Sequence, residues 1–235
     1  MTSKPTKPPR KRAAPLRSRP AAKRSVKTSK SAPVPYHHGA LREALLAAAE
    51  RVLERDGLPG LTLRAAAREA GVSHAAPTHH FGDLTGLVSE LAATGFRHFN
   101  AAMADAAEID GPPLLKAAAR ARAYLAYARA HPAMYLLMFR TERLDMTRPA
   151  LREAANAAFA GIAGAIGSIR GEAVPAQTLS LDQAAEIVRA WSLVHGYTML
   201  LIDGRLTDII ERLPAGTDAE TLFGAMLMSM GRPPG

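Results

Sequence analysis

Four residues in one short stretch, His74, Ala75, Thr78 and His79, have the types and spacing to read the edges of nucleic-acid bases. Imidazole and hydroxyl groups supply donors and acceptors, and an alanine methyl can meet the methyl of thymine. In a helix, spacings of three and four place such residues on one side. Ser73 and His80 bracket the set, and upstream Thr62 and Arg64 could hold phosphate, Thr62 with the free N–H groups of a helix start behind it. Phosphate contact alone is the competing reading for each groove residue, because such bonds make up at least half of those between proteins and DNA. A second group lies far along the chain, where Trp191 and His195 are four apart and so share a helix face. With Tyr127, Met134, Met138 and Phe159 they are the candidates for lining an apolar ligand pocket. A hydrogen-bonded core histidine is the competing reading of His195.

Other chemistry is poorly represented. The absence of cysteine removes disulfides, thiolate nucleophiles and thiolate metal ligands, and fits a reducing cytoplasm. Five of the eight histidines fall at 37, 38, 74, 79 and 80. They lack a matching cysteine set and the His pair with an intervening Glu that a zinc peptidase shows, so no metal site is expected. No phosphate loop, serine elbow or Glu-x-x-His pair occurs either; neither catalytic residues nor a cofactor are expected.

The stretch that must hold the base-reading residues runs from Thr62 to Leu84, TLRAAAREAGVSHAAPTHHFGDL. Thr62 can cap a helix whose face is Leu63, Ala66, Ala67 and Ala70, and Gly71 can turn the chain sharply, with Val72 plugging the angle. Ser73 is expected to cap a second helix. Pro77 sits near its first turn, where little hydrogen bonding is lost, so the helix can run to Phe81, a core residue. Gly82 stops it and Asp83 caps the next. This is a helix-turn-helix, the second helix of which fits the major groove. An ordinary helical hairpin is the plainer alternative.

The remainder reads as all-α. Leu41, Leu45, Ala48, Ala49, Val52 and Leu53 form the apolar face of a helix from Gly39 to Asp56, broken by Gly57, Pro59 and Gly60. After Asp83, Leu87, Val88, Leu91 and Phe99 predict a long linking helix ending before Gly111. Further helices are predicted over about 114–130, 132–140, 148–170, 181–203 and 217–230, divided by proline and glycine. The longest uncharged run, Ala154 to Ile169, is 16 residues, short of the ~18–20 that a membrane span needs. No membrane partner is expected.

Charge divides the chain sharply. Residues 1–35 carry eleven Lys or Arg and no acid, whereas the other 200 residues hold 19 basic and 21 acidic side chains. The first segment, rich in Pro, Ser, Thr and Ala, cannot bury enough apolar surface to offset ordering, and reads as a disordered basic arm. Either a phosphate-binding arm or a merely solubilising tail fits that composition.

The segment YHHGALREALLAAAERVLERDGLPGLTLRAAAREAGVSHAAPTHHFGDLTGL, Tyr36 to Leu87, resembles the N-terminal DNA-binding domain of the TetR family of bacterial transcriptional regulators along its whole length. Trp191, His195 and Gly196, with HPAMYLLMF at 131–139, are similar to a subgroup of that family. The resemblance implies a three-helix head over 36–84 and a helical effector-binding and dimerisation domain over 85–235. It further implies a cytoplasmic homodimer on a pseudo-palindromic operator of double-stranded DNA, most often a repressor released by a small-molecule effector. Thr78 stands where members commonly carry Tyr, and Leu84 where many carry Lys, both usual contacts to the DNA backbone. The competing function is a nucleoid-type protein whose basic arm binds DNA without sequence choice. Dimer contacts are expected from Leu193, Tyr197, Leu200, Leu201, Leu222, Met226 and Met230.

Overall fold

The computed structural model describes residues 38–175 and 177–229. The expected basic arm, His37 and Met230 lie outside the described residues. Helix α1 (His38–Gly60) buries Leu45, Ala48, Ala49, Val52 and Leu53 completely. Its regular path breaks at Gly57, which adopts φ 69°, and Pro59 lies in the single turn that follows. A left-handed φ of this kind is open to glycine at little cost, so the break falls where the sequence places it. Leu61 then enters the core, and the chain turns into α2 (Leu63–Ala70).

After α2 come α3 (Ala76–Phe81) and the long α4 (Leu84–Ala106), which inserts Leu87, Val88, Leu91, Phe96 and Phe99 into the interior. Helices α5 (Pro113–Ala130), α6 (Pro132–Met138) and α7 (Pro149–Arg170) each open on proline, whose missing N–H would have had no partner in a first turn anyway. A 3-10 turn, Thr141–Arg143, lies between α6 and α7. Helix α8 (Leu181–Ile202) begins with a capping box in which Ser180 and Gln183 exchange side-chain and backbone bonds. A short α9 (Thr207–Ile210) and α10 (Ala219–Ser229) follow. No strand occurs among the described residues, and no helix is long and apolar enough to cross a membrane.

One continuous core runs from Leu45 in α1 to Ala154 in α7 and includes Phe81 of α3. Two smaller clusters lie beside it. One joins Leu125, Tyr197, Leu206 and Phe223; the other joins Ala163, Ile166 and Ile187 across α7 and α8.

Two expectations need correction. Ser73 does not cap α3: the helix starts at Ala76, its N-cap is Ala75, and no side chain caps it. Pro77 has no N–H to return to the Ser73 carbonyl, which instead accepts from Ala76 at 3.1 Å in a tighter turn. Tyr197 is not free to meet a partner chain. It is buried against Phe223, and its hydroxyl donates to the Ala219 carbonyl at 2.5 Å. The 3-10 turn and α9 were not foreseen, being too short to show a period.

Candidate functional site

The turn between α2 and α3 is built from backbone bonds. Thr62 Oγ1 accepts from the Ala65 N–H at 3.0 Å, satisfying one of the four free donors at the start of α2. At the other end Gly71 takes φ 68°, and Val72 donates to the Ala67 carbonyl at 3.0 Å, closing the helix. Ala65, Ala66 and Ala67 are small enough to bury this helix closely against α1.

Pro77 and Phe81 anchor α3 inward, Phe81 being only 2% exposed. A helix of six residues has little stability of its own, so this pair sets which side faces outward. The side that remains carries Ser73, His74, Ala75, Thr78 and His79, all exposed. His80 is half-buried and meets the rings of His79 and Phe81 edge-on or tilted. Thr62 and Arg64 are exposed at the start of α2. Gly82, at φ 83°, ends α3, and Asp83 accepts from the Gly86 N–H at 2.7 Å to start α4.

The cations of this region are unevenly committed. Arg51 and Arg55 both bind Glu69, at 2.9 and 3.0 Å, which holds that carboxyl below its ordinary range. Arg42 pairs with Glu90 at 2.5 Å and lies 5.6 Å from the centre of the Phe81 ring, a cation–π contact that pins α3 to α1. Among the described residues Arg64 and Arg68 form no ion pair and are exposed on α2.

The second candidate group is only partly assembled. Tyr124, Tyr135 and His195 meet as a triangle: the two hydroxyls are 3.0 Å apart, and each is 2.8 Å from Nδ1 of His195. Burial pushes the Tyr124 phenol up to about 12 and Tyr135 higher still, so both keep their protons, while it pushes His195 down. A neutral ring that accepts at Nδ1 and carries its proton on Nε2 satisfies all three. Trp191 lies 6.3 Å from the His195 ring and is 42% exposed, so the pair does share a face, at the rim of the cluster. Tyr127, Met134 and Met138 are packed into the main core, Tyr127 donating to the Gly95 carbonyl at 3.1 Å. Phe159 packs instead with the α7–α8 cluster. Two open clefts of about 600 and 370 Å³ are lined by none of these six candidates.

The family described as bacterial regulatory proteins, tetR family, matches residues 45–91, and the tetracyclin repressor-like C-terminal domain matches residues 117–230. A solved structure of a protein of unknown function from Rhodococcus sp. RHA1 is 33% identical, with a TM-score of 0.66 over 83% of this chain and 95% of that one. The chain belongs to the TetR family. Two more distant structures share the regulator's fold. FadR from Bacillus subtilis, in complex with stearoyl-CoA, is 14% identical with a TM-score of 0.58, covering 79% of this chain and 95% of that one. A possible TetR family transcriptional regulator from Streptomyces coelicolor A3(2) is 21% identical with a TM-score of 0.56, covering 80% and 98%. No curated protein matches. This TetR family regulator therefore binds DNA through its helix-turn-helix, and family members answer to small-molecule effectors.

Sequence reasoning missed what holds α3 from the far side. In the sequence Arg148 is marked only by the Pro149 that follows it, a helix boundary, yet its guanidinium reaches the last carbonyl of α3. Nothing in the local sequence pairs the Tyr124 and Tyr135 hydroxyls with each other or with His195, and only the fold brings them to one nitrogen.

Proposed function

We propose that the protein is a homodimeric repressor that reads a pseudo-palindromic operator and is released from it by a small molecule. The observation that carries this reading is the sidedness of α3, with Pro77 and Phe81 buried and His74, Ala75, Thr78 and His79 all exposed. These four meet base edges in the major groove; Thr62, Arg64, Ser73 and His80 meet the phosphate backbone beside it. The dimer forms through α8 and α10, on which Leu181, Val188, Leu200 and Met228 stand exposed on one chain. The effector enters beside Trp191 and His195, at the exposed rim of the tyrosine–histidine cluster. FadR, with the same fold, is in complex with stearoyl-CoA, which is consistent with an effector that carries an apolar chain.

Selection of duplexes from a fragment library of the source genome, followed by footprinting, tests the DNA half. Two protected half-sites about 34–36 Å apart, one helical turn, are expected from a dimer. Uniform protection without sequence choice would favour the nucleoid-type alternative. Sedimentation at micromolar concentration is expected to show a dimer.

A further inference from the structure

The connection between α6 and α7 is fastened to α4, the helix that leads out of the DNA-reading unit. Asp145 donates its N–H to Ser89 Oγ at 2.8 Å, and that buried hydroxyl in turn donates to the Thr85 carbonyl at 2.7 Å, both on α4. Three residues on, Arg148 donates its own N–H to the Asp145 carbonyl and starts α7, so its backbone is fixed by the effector half. Its side chain points the other way. Nη2 donates to the Phe81 carbonyl at 3.1 Å, the last of α3, while Nη1 lies 3.6 Å from Glu90, the carboxylate already bound by Arg42.

Two details show that the chain makes room for this reach. A Cβ on Gly86 would fall 2.0 Å from the Phe81 oxygen, which is backbone, and 2.5 Å from Arg148 Nη2, so glycine here leaves the room in which that carbonyl and the guanidinium meet. Arg148 Nε is buried with no hydrogen bond, its nearest carboxylate, Asp145, being 3.6 Å away. The guanidinium thus forgoes a close pairing with its neighbour and spends its one short bond on α3. A cation on a terminal carbonyl of a helix complements both an unpaired acceptor and the negative end of the dipole.

We propose that Arg148 is a positioning residue for DNA reading: it sets the angle of α3 and passes any displacement of the α6–α7 connection to it. A shift of that connection by about half an ångström away from α3 would stretch the 3.1 Å bond from Nη2 to the Phe81 carbonyl out of hydrogen-bonding range. Helix α3, with no side-chain cap at its N-terminus, would then lose the cation that holds its C-terminal carbonyl. The inference rests on the assignment of α3 as the reading helix.

The test uses full-length protein, a duplex selected from a random pool by the wild type, and a scrambled duplex at the same salt. Arg148→Lys keeps a cation beside Glu90 but has a single head that cannot also hold the Phe81 carbonyl. It is expected to lose about tenfold in affinity for the selected duplex, the scale of a charge-assisted hydrogen bond, with under about twofold change on the scrambled one. Amide exchange in the free protein is expected to quicken over residues 78–82 and to stay unchanged in α1. Arg148→Ala should do the same more strongly; should it fail to fold, the lysine variant decides. An unchanged ratio of selected to scrambled affinity in a folded Arg148→Lys protein would overturn the proposal, as would unchanged exchange in α3. If the wild type itself enriches no sequence, the assignment of α3 fails and takes this inference with it.

Discussion

At the scale of single residues, fixed backbone approaches and buried hydrogen bonds decide more than surface charge does. Gly86 is buried with the Phe81 carbonyl where its side chain would be, and that neighbour is backbone, which cannot swing aside. Gly86→Ala should therefore cost about 1–3 kcal/mol, the range for overpacking a close interior, read as a lower urea midpoint at unchanged slope. His195 gives a pH dependence. Its ring is held neutral between two phenols, with burial pushing its pKa down. In the unfolded chain the same ring titrates near ~6.5, so below that pH the unfolded state takes up a proton that the folded state refuses. The stabilisation is whole above ~6.5 and is lost as pH falls toward the lowered folded value. The melting temperature of the wild type should drop more steeply than that of His195→Gln between pH 7.5 and 5. Parallel curves would show that His195 contributes none of the slope.

At the scale of elements, α2 and α3 contrast in how their ends are secured. Helix α2 has a side-chain cap at Thr62 and a left-handed glycine at its close; α3 has neither a capping side chain nor length. Thr62→Ala should lower stability by ~1 kcal/mol, and Thr62→Ser should restore most of it, because a hydroxyl at the cap is what matters. Equal unfolding curves for the alanine and serine proteins would contradict this. Most element boundaries were legible because proline and glycine mark them: His131-Pro132 and Arg148-Pro149 stand at the starts of α6 and α7, and Gly57, Gly71, Gly82 and Gly171 at breaks or ends. The buried face of α1 was legible from its period. Side-chain partnerships across elements were not. Arg148 lies 67 residues from Phe81, and nothing local marks which of several arginines will find a carbonyl that far away. Tyr197 misled for a related reason, since an apolar face looks the same whether α10 of its own chain or a second chain covers it. Pro77 and Phe81 fix the rotation of so short a helix as α3, and the side they leave exposed carries the four residues proposed to read bases.

For the whole molecule, charge must account for affinity toward a polyanion. The body beyond residue 35 carries slightly more acid than base, and in the reading head Arg42, Arg51 and Arg55 are already tied to carboxylates. Among the described residues that leaves Arg64 and Arg68 exposed and without an ion pair on α2. Two cations release few counterions, so a protein relying on them alone would show a shallow salt dependence. Residues 1–35, with eleven Lys or Arg and no acid, are the obvious further source. If they neutralise about four phosphates, removing them should flatten the slope of log affinity against log salt by ~3.6, at about 0.9 per contact. Preference for the selected duplex should change far less, because contacts to phosphate position a protein without reading bases. Salt titrations of the full-length and shortened proteins on selected and scrambled duplexes separate these effects. Equal slopes would leave the first 35 residues without a part in binding. A loss of preference along with the slope would mean that one of these arginines enters a narrow A·T minor groove and reads its width.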